Sequence, residues 1–362
     1  MKKFLAILLT LALSLTALCA IAEDVRVAMI TDYGDITDQS FNQTTYEACK
    51  AFCDANGIDF TYYKPAGDST AERVAMVEKA VDEDYNVIVM PGYAFGETIA
   101  ETQAEYPDTK FIALDVSSGD LGTDPLANVY CAVYQEELCG YMAGYAAVKL
   151  GYTRLGFLGG MAVPAVVRYG YGFVQGADAA AVELGNASEV SVGYVYGNQF
   201  YGDADITAYM DNWYQTMGVQ VVFACGGGIY SSAAEAAAKV GGKVIGVDVD
   251  QAAIIDGQYG EGMTVTSAMK GLAATVNTLL SETVAGNFAN YGGKVDNLGL
   301  VGTDPAANYV QIAPSTQFSD SFTADDYAAL VAKMFSGEIT VSNAIDAMPA
   351  TTITVNDYGT VK

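Results

Sequence analysis

The chain contains no histidine in 362 residues. That excludes Ser-His-Asp and Cys-His nucleophilic machinery and every metal site built on imidazole. Basic residues are scarce: 17 Lys and Arg stand against 43 Asp and Glu, a formal net charge of −26. Nucleic acid and anionic membrane surfaces repel such a chain, so neither is expected as a partner, and the excess acid reads as solubility by self-repulsion. Beyond the N-terminus no stretch approaches the ~20 unbroken apolar residues of a membrane span. Cysteines are few and wrongly spaced for a zinc ribbon. Cys49 and Cys53 lie four apart on a predicted helix, which suits packing better than a disulfide. With Cys131, Cys139 and Cys225 they make an odd set after Cys19, so at least one thiol is free and buried small hydrophobes are expected. No cofactor or metal is implied.

The N-terminus reads as an export signal. Lys2 and Lys3 precede an apolar run over 4–18, and Ala20-Ile21-Ala22 fits the small-x-small cleavage pattern. A signal peptide over 1–22 with cleavage after Ala22 is expected. Lipid attachment at Cys19 is the alternative, disfavoured by Leu18 where lipoprotein signals carry a small residue. The location is then periplasmic or at the cell surface, with lipid anchoring through Cys19 left open. Losing 1–22 removes two lysines and no acid, taking the net charge from −26 to −28.

Short β-branched runs then alternate with helical patterns. Strands are expected near 25–30, 60–63, 87–90, 111–114, 129–132, 154–158, 190–196, 221–224, 244–247 and 263–266. Helices are expected near 71–81, 95–105, 136–149, 165–183, 204–217 and 231–238. This βαβ rhythm implies α/β architecture with doubly wound parallel sheets covered on both faces. The length exceeds what one core usually holds, so two lobes are expected. The chain changes lobe near Tyr134, before a second series opening with RLGFLGG. The N-terminal lobe is expected to hold 23–133 plus about 267–290, and the C-terminal lobe 134–266 plus about 291–362. Residues 284–304 are rich in Gly and Asn, and the tail after a helix at 324–335 is not placed.

Polar residues collect where the predicted strands end, the place where open α/β sheets hold ligands. Asp32 and Asp35 follow the first strand, with Phe41 and Asn42 at the next helix start. Gly92 and Tyr93 follow VIVMP, and Asp115 follows FIAL. In the second half Gly226, Gly227 and Gly228 follow VVFA, and Asp248 to Gln251 follow VIG. Lys270 stands near a helix start, where it opposes the helix dipole. Carboxylates can accept paired hydroxyls, and an aromatic face can stack on a planar base or an apolar sugar face. Each residue also has a plain structural reading: Asp115 or Asp248 as a helix cap, Phe41 as core, the glycines as a tight turn. The triplet lacks the Gly-Lys-Ser/Thr ending of a phosphate loop, which argues against nucleotide hydrolysis. Polar groups at the same ends of both halves favour a small-molecule cleft between two lobes.

Several stretches together resemble the basic membrane protein family of ABC-transporter substrate-binding proteins, which includes the purine nucleoside receptor lipoproteins. They are ITDQSFNQTTYEA, YPDTKFIALD, NVYCAVYQEELCGYMAGYAA, LGFLGGMAVPAVVRYGYGFVQGA, VVFACGGG, VIGVDVDQ followed by Lys270, and SGEITVS. The resemblance implies a type I periplasmic-binding-protein fold, two lobes joined by hinge strands. It implies a small-molecule ligand, a nucleoside and purine by expectation, and a permease and ATPase in the membrane as partners. A monomer is expected. Carried over, Phe41 would stack on the base and Asp115 would meet its edge. Asp32 and Asn42 would line the N-lobe side, and Gly228, Asp248 and Lys270 would serve the sugar, with Lys270 orienting Asp248. The second aromatic falls in GNQFYGDAD; Tyr201 before Asp203 aligns best, with Phe200 or Tyr196 as neighbours that could serve instead.

The reading is an exported solute receptor, not an enzyme, delivering a nucleoside to an importer. The rivals are a receptor for a sugar or other small metabolite on the same fold, a sensor presenting ligand to a signalling receptor, and an enzyme using Asp248 and Asp250. With no histidine in the chain, the last has only a carboxylate pair such as Asp248 with Asp250 to act with.

Overall fold

A computed structural model describes residues 25–362; the predicted signal, with Cys19 and Ala22, lies outside the described residues. In chain order the elements are β1 (Arg26–Ile30), α1 (Phe41–Asn56), β2 (Asp59–Tyr63), α2 (Thr70–Asp82), β3 (Val87–Pro91), α3 (Phe95–Thr102), β4 (Lys110–Leu114), α4 (Ser118–Leu121) and β5 (Val129–Tyr134). A second series follows: α5 (Glu136–Lys149), β6 (Arg154–Gly159), α6 (Pro164–Leu184), β7 (Ser191–Tyr196), α7 (Ala204–Gln215), β8 (Val221–Cys225), α8 (Tyr230–Ala238), β9 (Lys243–Asp248), α9 (Ala252–Tyr259) and β10 (Thr264–Lys270). The remainder holds α10 (Leu272–Val284), β11 (Lys294–Leu298), β12 (Val310–Ile312), α11 (Ala324–Phe335) and β13 (Thr354–Thr360).

The strands form two sheets. One runs β11-β5-β4-β3-β1-β2 and the other β12-β10-β9-β8-β6-β7-β13. Every pairing is parallel except β10 with β12. Inner strands such as β3 (VIVMP) and β8 (VVFAC) are buried at every position, which is why they read as continuous apolar runs without alternation. Local signals end the helices: α1 stops at Gly57, which takes φ 66, and Thr323 with Asp326 forms a capping box at α11.

The chain passes between the sheets three times: from β5 into α5, from β10 into α10, and from β11 to β12. Two sequence boundaries therefore shift. Residues 267–270, expected in the first lobe, extend β10 in the second sheet, because the backbone of Ser267 to Met269 keeps its parallel pairing with β9 and stays mostly buried. Residues 294–298, assigned to the second lobe, form β11 and pair with β5 in the first sheet; this half-buried KVDNL edge strand has too weak an apolar pattern to be seen in advance. The unplaced tail supplies β13, parallel to β7 at the other edge.

One packing feature positions the site. Helices α5 and α6 meet backbone to backbone: a Cβ at Gly140 would lie 2.2 Å from the Tyr169 carbonyl oxygen, and one at Gly172 would lie 2.1 Å from that of Glu137. Only glycine permits this approach, and it brings the first turns of both helices under the cleft.

Candidate functional site

The C-terminal ends of both sheets face each other across a cavity of about 550 Å³. Asp32, Phe41, Asn42, Asp115, Gly228, Asp248 and Lys270 all line it. Gly92, Tyr93, Gly226 and Gly227 line it as well, and Asp35 reaches it while paired with Lys64 at 2.9 Å. Asp250 does not: it accepts from Ser315 Oγ at 2.6 Å and from the Ala252 amide at 3.1 Å.

Two of the acids occupy matching places. Asp115 directly follows β4 and Asp248 ends β9, and both adopt the left-handed region, at φ 61 and 65. Aspartate tolerates this conformation better than most residues, and its use at both sheet ends turns each carboxylate into the cleft. Lys270 is the last residue of β10, not a helix opener, and its side chain is 3% exposed. Its Nζ donates to Asp115 Oδ2 at 2.5 Å, lies 3.6 Å from Glu136 Oε1 and 3.7 Å from Asp248 Oδ1, and sits 4.6 Å over the Phe41 ring. The strongest lysine partner is thus Asp115 of the opposite sheet, with Asp248 farther off.

The buried charges support one another. Burial alone would lower the Lys270 pKa, but Asp115, Asp248 and Glu136 outweigh it and hold the ammonium above the ordinary lysine range. Burial pushes Asp115 and Asp248 above the usual carboxylate range, with Lys270 opposing in both cases. Asp248 also accepts from Ser40 Oγ at 2.5 Å and from the Tyr169 hydroxyl at 3.3 Å. Ser40 lies just before α1, so this bond and that of Lys270 with Asp115 join the two lobes. The Gln251 side-chain amide adds a third link, donating to the Gln39 carbonyl at 2.9 Å. Asp32 Oδ1 accepts from the Tyr33 and Gly34 amides, both at 2.7 Å. Burial nevertheless pushes its carboxyl up to about 6. Two buried acceptors, Asp115 Oδ1 and Asn42 Oδ1, have no hydrogen-bond partner.

The aromatic wall differs from the best sequence alignment. Tyr201 stands at the rim with 63% of its surface exposed. Phe200 turns inward and stacks on Tyr33 of the other lobe, centroids 6.2 Å apart at 25°. Tyr196 points into the core, where its hydroxyl lies 2.8 Å from that of Tyr194. The sequence reading also missed Glu136 and Arg168, whose guanidinium Nε donates to Glu136 Oε2 at 2.7 Å. The signal available was the glycine spacing in CGYMAG and GYGFVQG, which lets α5 and α6 close together.

Comparison with known proteins agrees with this architecture. Residues 25–341 match the family model described as Bmp, ABC transporter substrate-binding protein PnrA-like. The chain is 29% identical over 302 residues to a CD4+ T-cell-stimulating antigen of Listeria innocua, covering 77% of this chain and 80% of that one. It is 25% identical over 291 residues to the ABC transporter nucleoside-binding protein BmpA of Lactococcus lactis, covering 73% and 76%. Among solved structures it resembles an ABC transporter solute-binding protein from Conexibacter woesei, with a TM-score of 0.66, 23% identity and coverage of 88% and 99%. A solute-binding protein from Aeropyrum pernix gives a TM-score of 0.67 at 20% identity, covering 88% and 87%. These likenesses support the type I periplasmic-binding-protein fold. Two facing doubly wound lobes, a cavity lined from both, and a family match over nearly all described residues lead to one conclusion: the chain belongs to the Bmp family of PnrA-like ABC transporter substrate-binding proteins.

Proposed function

We propose that this protein binds a purine nucleoside between its lobes outside the cytoplasm and hands it to a membrane permease driven by an ATPase. The observation that carries the reading is the composition of the cavity. Tyr33, Phe200 and Met161 make an apolar wall, while Asp115, Asp248 and Lys270 gather the polar groups. A base needs flat apolar surfaces, which Phe41 and Phe200 supply from opposite lobes. A ribose and the base edge bring hydroxyl and N–H donors, which match the unpartnered Asp115 Oδ1 and Asn42 Oδ1. A free sugar could stack its apolar face on one ring but would leave the facing ring of the other lobe unused. A nucleotide would leave its phosphate without a partner: Lys64, Arg168 and Lys270, the cations on the lining, are already paired with Asp35, Glu136 and Asp115. The nucleoside-binding BmpA relative supports the same reading.

The ligand is carried, not transformed. Contacts from both lobes are made only when the cleft is shut, so ligand binding favours the closed population. A thermal-shift panel tests this: inosine, guanosine and adenosine against ribose, galactose and the corresponding monophosphates. Stabilisation by a purine nucleoside is the expected result. Stabilisation by a sugar but by no nucleoside overturns the proposal in favour of a sugar receptor.

A further inference from the structure

A segment far away in sequence reaches the loop that bears Phe200. The stretch after the matched family region, residues 342–362, runs across the outside of the second lobe. Gln175 on α6 holds Ser342 through paired bonds of 2.9 and 3.0 Å. Asp178 on α6 then accepts from the Thr352 and Ile353 amides at 2.6 and 2.9 Å. β13 pairs in parallel with β7, and the Val361 amide donates to the Tyr196 carbonyl at 2.8 Å. Lys362 is thereby delivered to the loop that follows β7, where its Nζ donates to Gln199 Oε1 at 3.3 Å and to Asp203 Oδ2.

That loop is the one bearing Phe200. Gln199 Nε2 donates to the Tyr201 carbonyl at 2.9 Å and to Asp203 Oδ2 at 2.8 Å. Asp203 Oδ1 caps α7 by accepting from the Ile206 amide at 3.0 Å. The cap and Lys362 together hold the Asp203 carboxyl down to about 2, so the contact stays charged across working pH. Asn198 begins the turn at φ 60, and the Phe200 carbonyl accepts from the Gly228 amide at 2.9 Å. Gln199 and Asp203 thus bracket Phe200 and Tyr201, and Lys362 bonds to both brackets.

We propose that residues 352–362 form a strap whose Lys362 fixes the loop 198–203 and so holds the Phe200 wall against the cavity, making Lys362 a positioning residue for the ligand it never touches. The inference rests on Phe200 being a ligand wall, as proposed above. It assigns to β13 a purpose beyond covering a sheet edge: without the strap the loop keeps its helix cap and the Gln199–Asp203 bond but loses the cation that holds both of these residues.

Hydrogen exchange on the ligand-free full chain, with calorimetric titration of inosine, tests the strap on Lys362→Met, Lys362→Arg and a chain truncated after Ile353. In Lys362→Met, amides of 198–204 are expected to exchange faster than in the parent, with α5 and α6 unchanged and the melting temperature preserved. Inosine affinity is expected to fall about threefold to fivefold, the scale of one partly exposed ion pair. Lys362→Arg should restore both, and truncation should exceed Lys362→Met in both. Unchanged exchange over 198–204 in Lys362→Met overturns the proposal, as does faster exchange with undiminished affinity. If the parent chain binds none of inosine, guanosine and adenosine, the nucleoside reading fails by itself, and the exchange data still decide whether the strap holds the loop.

Discussion

Asp248→Asn isolates one carboxylate at the centre of the cleft. The backbone there is left-handed, at φ 65, a conformation asparagine accepts as readily as aspartate, so the substitution removes charge without adding strain. The native carboxylate takes Ser40 Oγ at 2.5 Å, the Tyr169 hydroxyl at 3.3 Å, and faces Lys270 at 3.7 Å. Lys270 keeps Asp115 and Glu136 as partners, so no buried cation is stranded and the fold should survive with a melting temperature within about 3 °C of the parent. A ligand donor bonded to the charged oxygen would lose about 1.5–3 kcal/mol. That corresponds to roughly a tenfold to 150-fold rise in Kd. Calorimetric titration with inosine or guanosine measures it. An unchanged Kd in a folded variant would remove Asp248 from the binding site and refute the reasoning that places the sugar against it.

Three other perturbations probe the same cavity. Phe41→Ala should weaken nucleoside binding by about 1–3 kcal/mol of lost stacking; a variant that unfolds instead would show that the ring, half-buried against the core and under Lys270, serves packing. Phe200→Ala should weaken binding at least fivefold, while Tyr201→Ala, already exposed at the rim, should change it less than twofold; the reverse order in titrations would restore Tyr201 as the stacking residue. Asp32 has a carboxyl pushed from 3.8 up to about 6 by burial, so in that window the folded chain holds more protons than the unfolded one. Its destabilising contribution is therefore fully present above about pH 6 and fades as pH falls towards 4. Both amides donate to Oδ1, an acceptor that the side-chain amide oxygen introduced by Asp32→Asn would preserve. The variant should therefore gain melting temperature over the parent at pH 8 and lose that advantage at pH 4.5. A pH-independent difference would contradict the assigned burial.

The strand ends were the most legible part of the sequence, because parallel strands buried on both faces leave uninterrupted apolar runs. Asp115 and Asp248 could be marked simply as the first acids after FIAL and VIGV. Lys270 could be found but not oriented: a polar residue closing β10 looks, in sequence, like the start of α10 two residues later. Glu136 and Arg168 were hidden because their meeting depends on glycine-mediated contact between α5 and α6, a tertiary event with no local period. Phe200 and Tyr201 could not be separated, since facing in a loop that begins with Asn198 at φ 60 follows backbone dihedrals and not a repeat. β13 escaped notice for a different reason. Its TVNDYGT sequence is mostly exposed, so it pairs through its backbone without the apolar alternation that announces most strands.

The central claim is that the space between the lobes is shaped for a base joined to a sugar. Native protein, purified without added ligand and then denatured, releases whatever the cleft has retained, and mass spectrometry of that small-molecule fraction identifies it. A purine nucleoside in stoichiometric yield is the predicted result. A pentose or hexose carrying no base would contradict it.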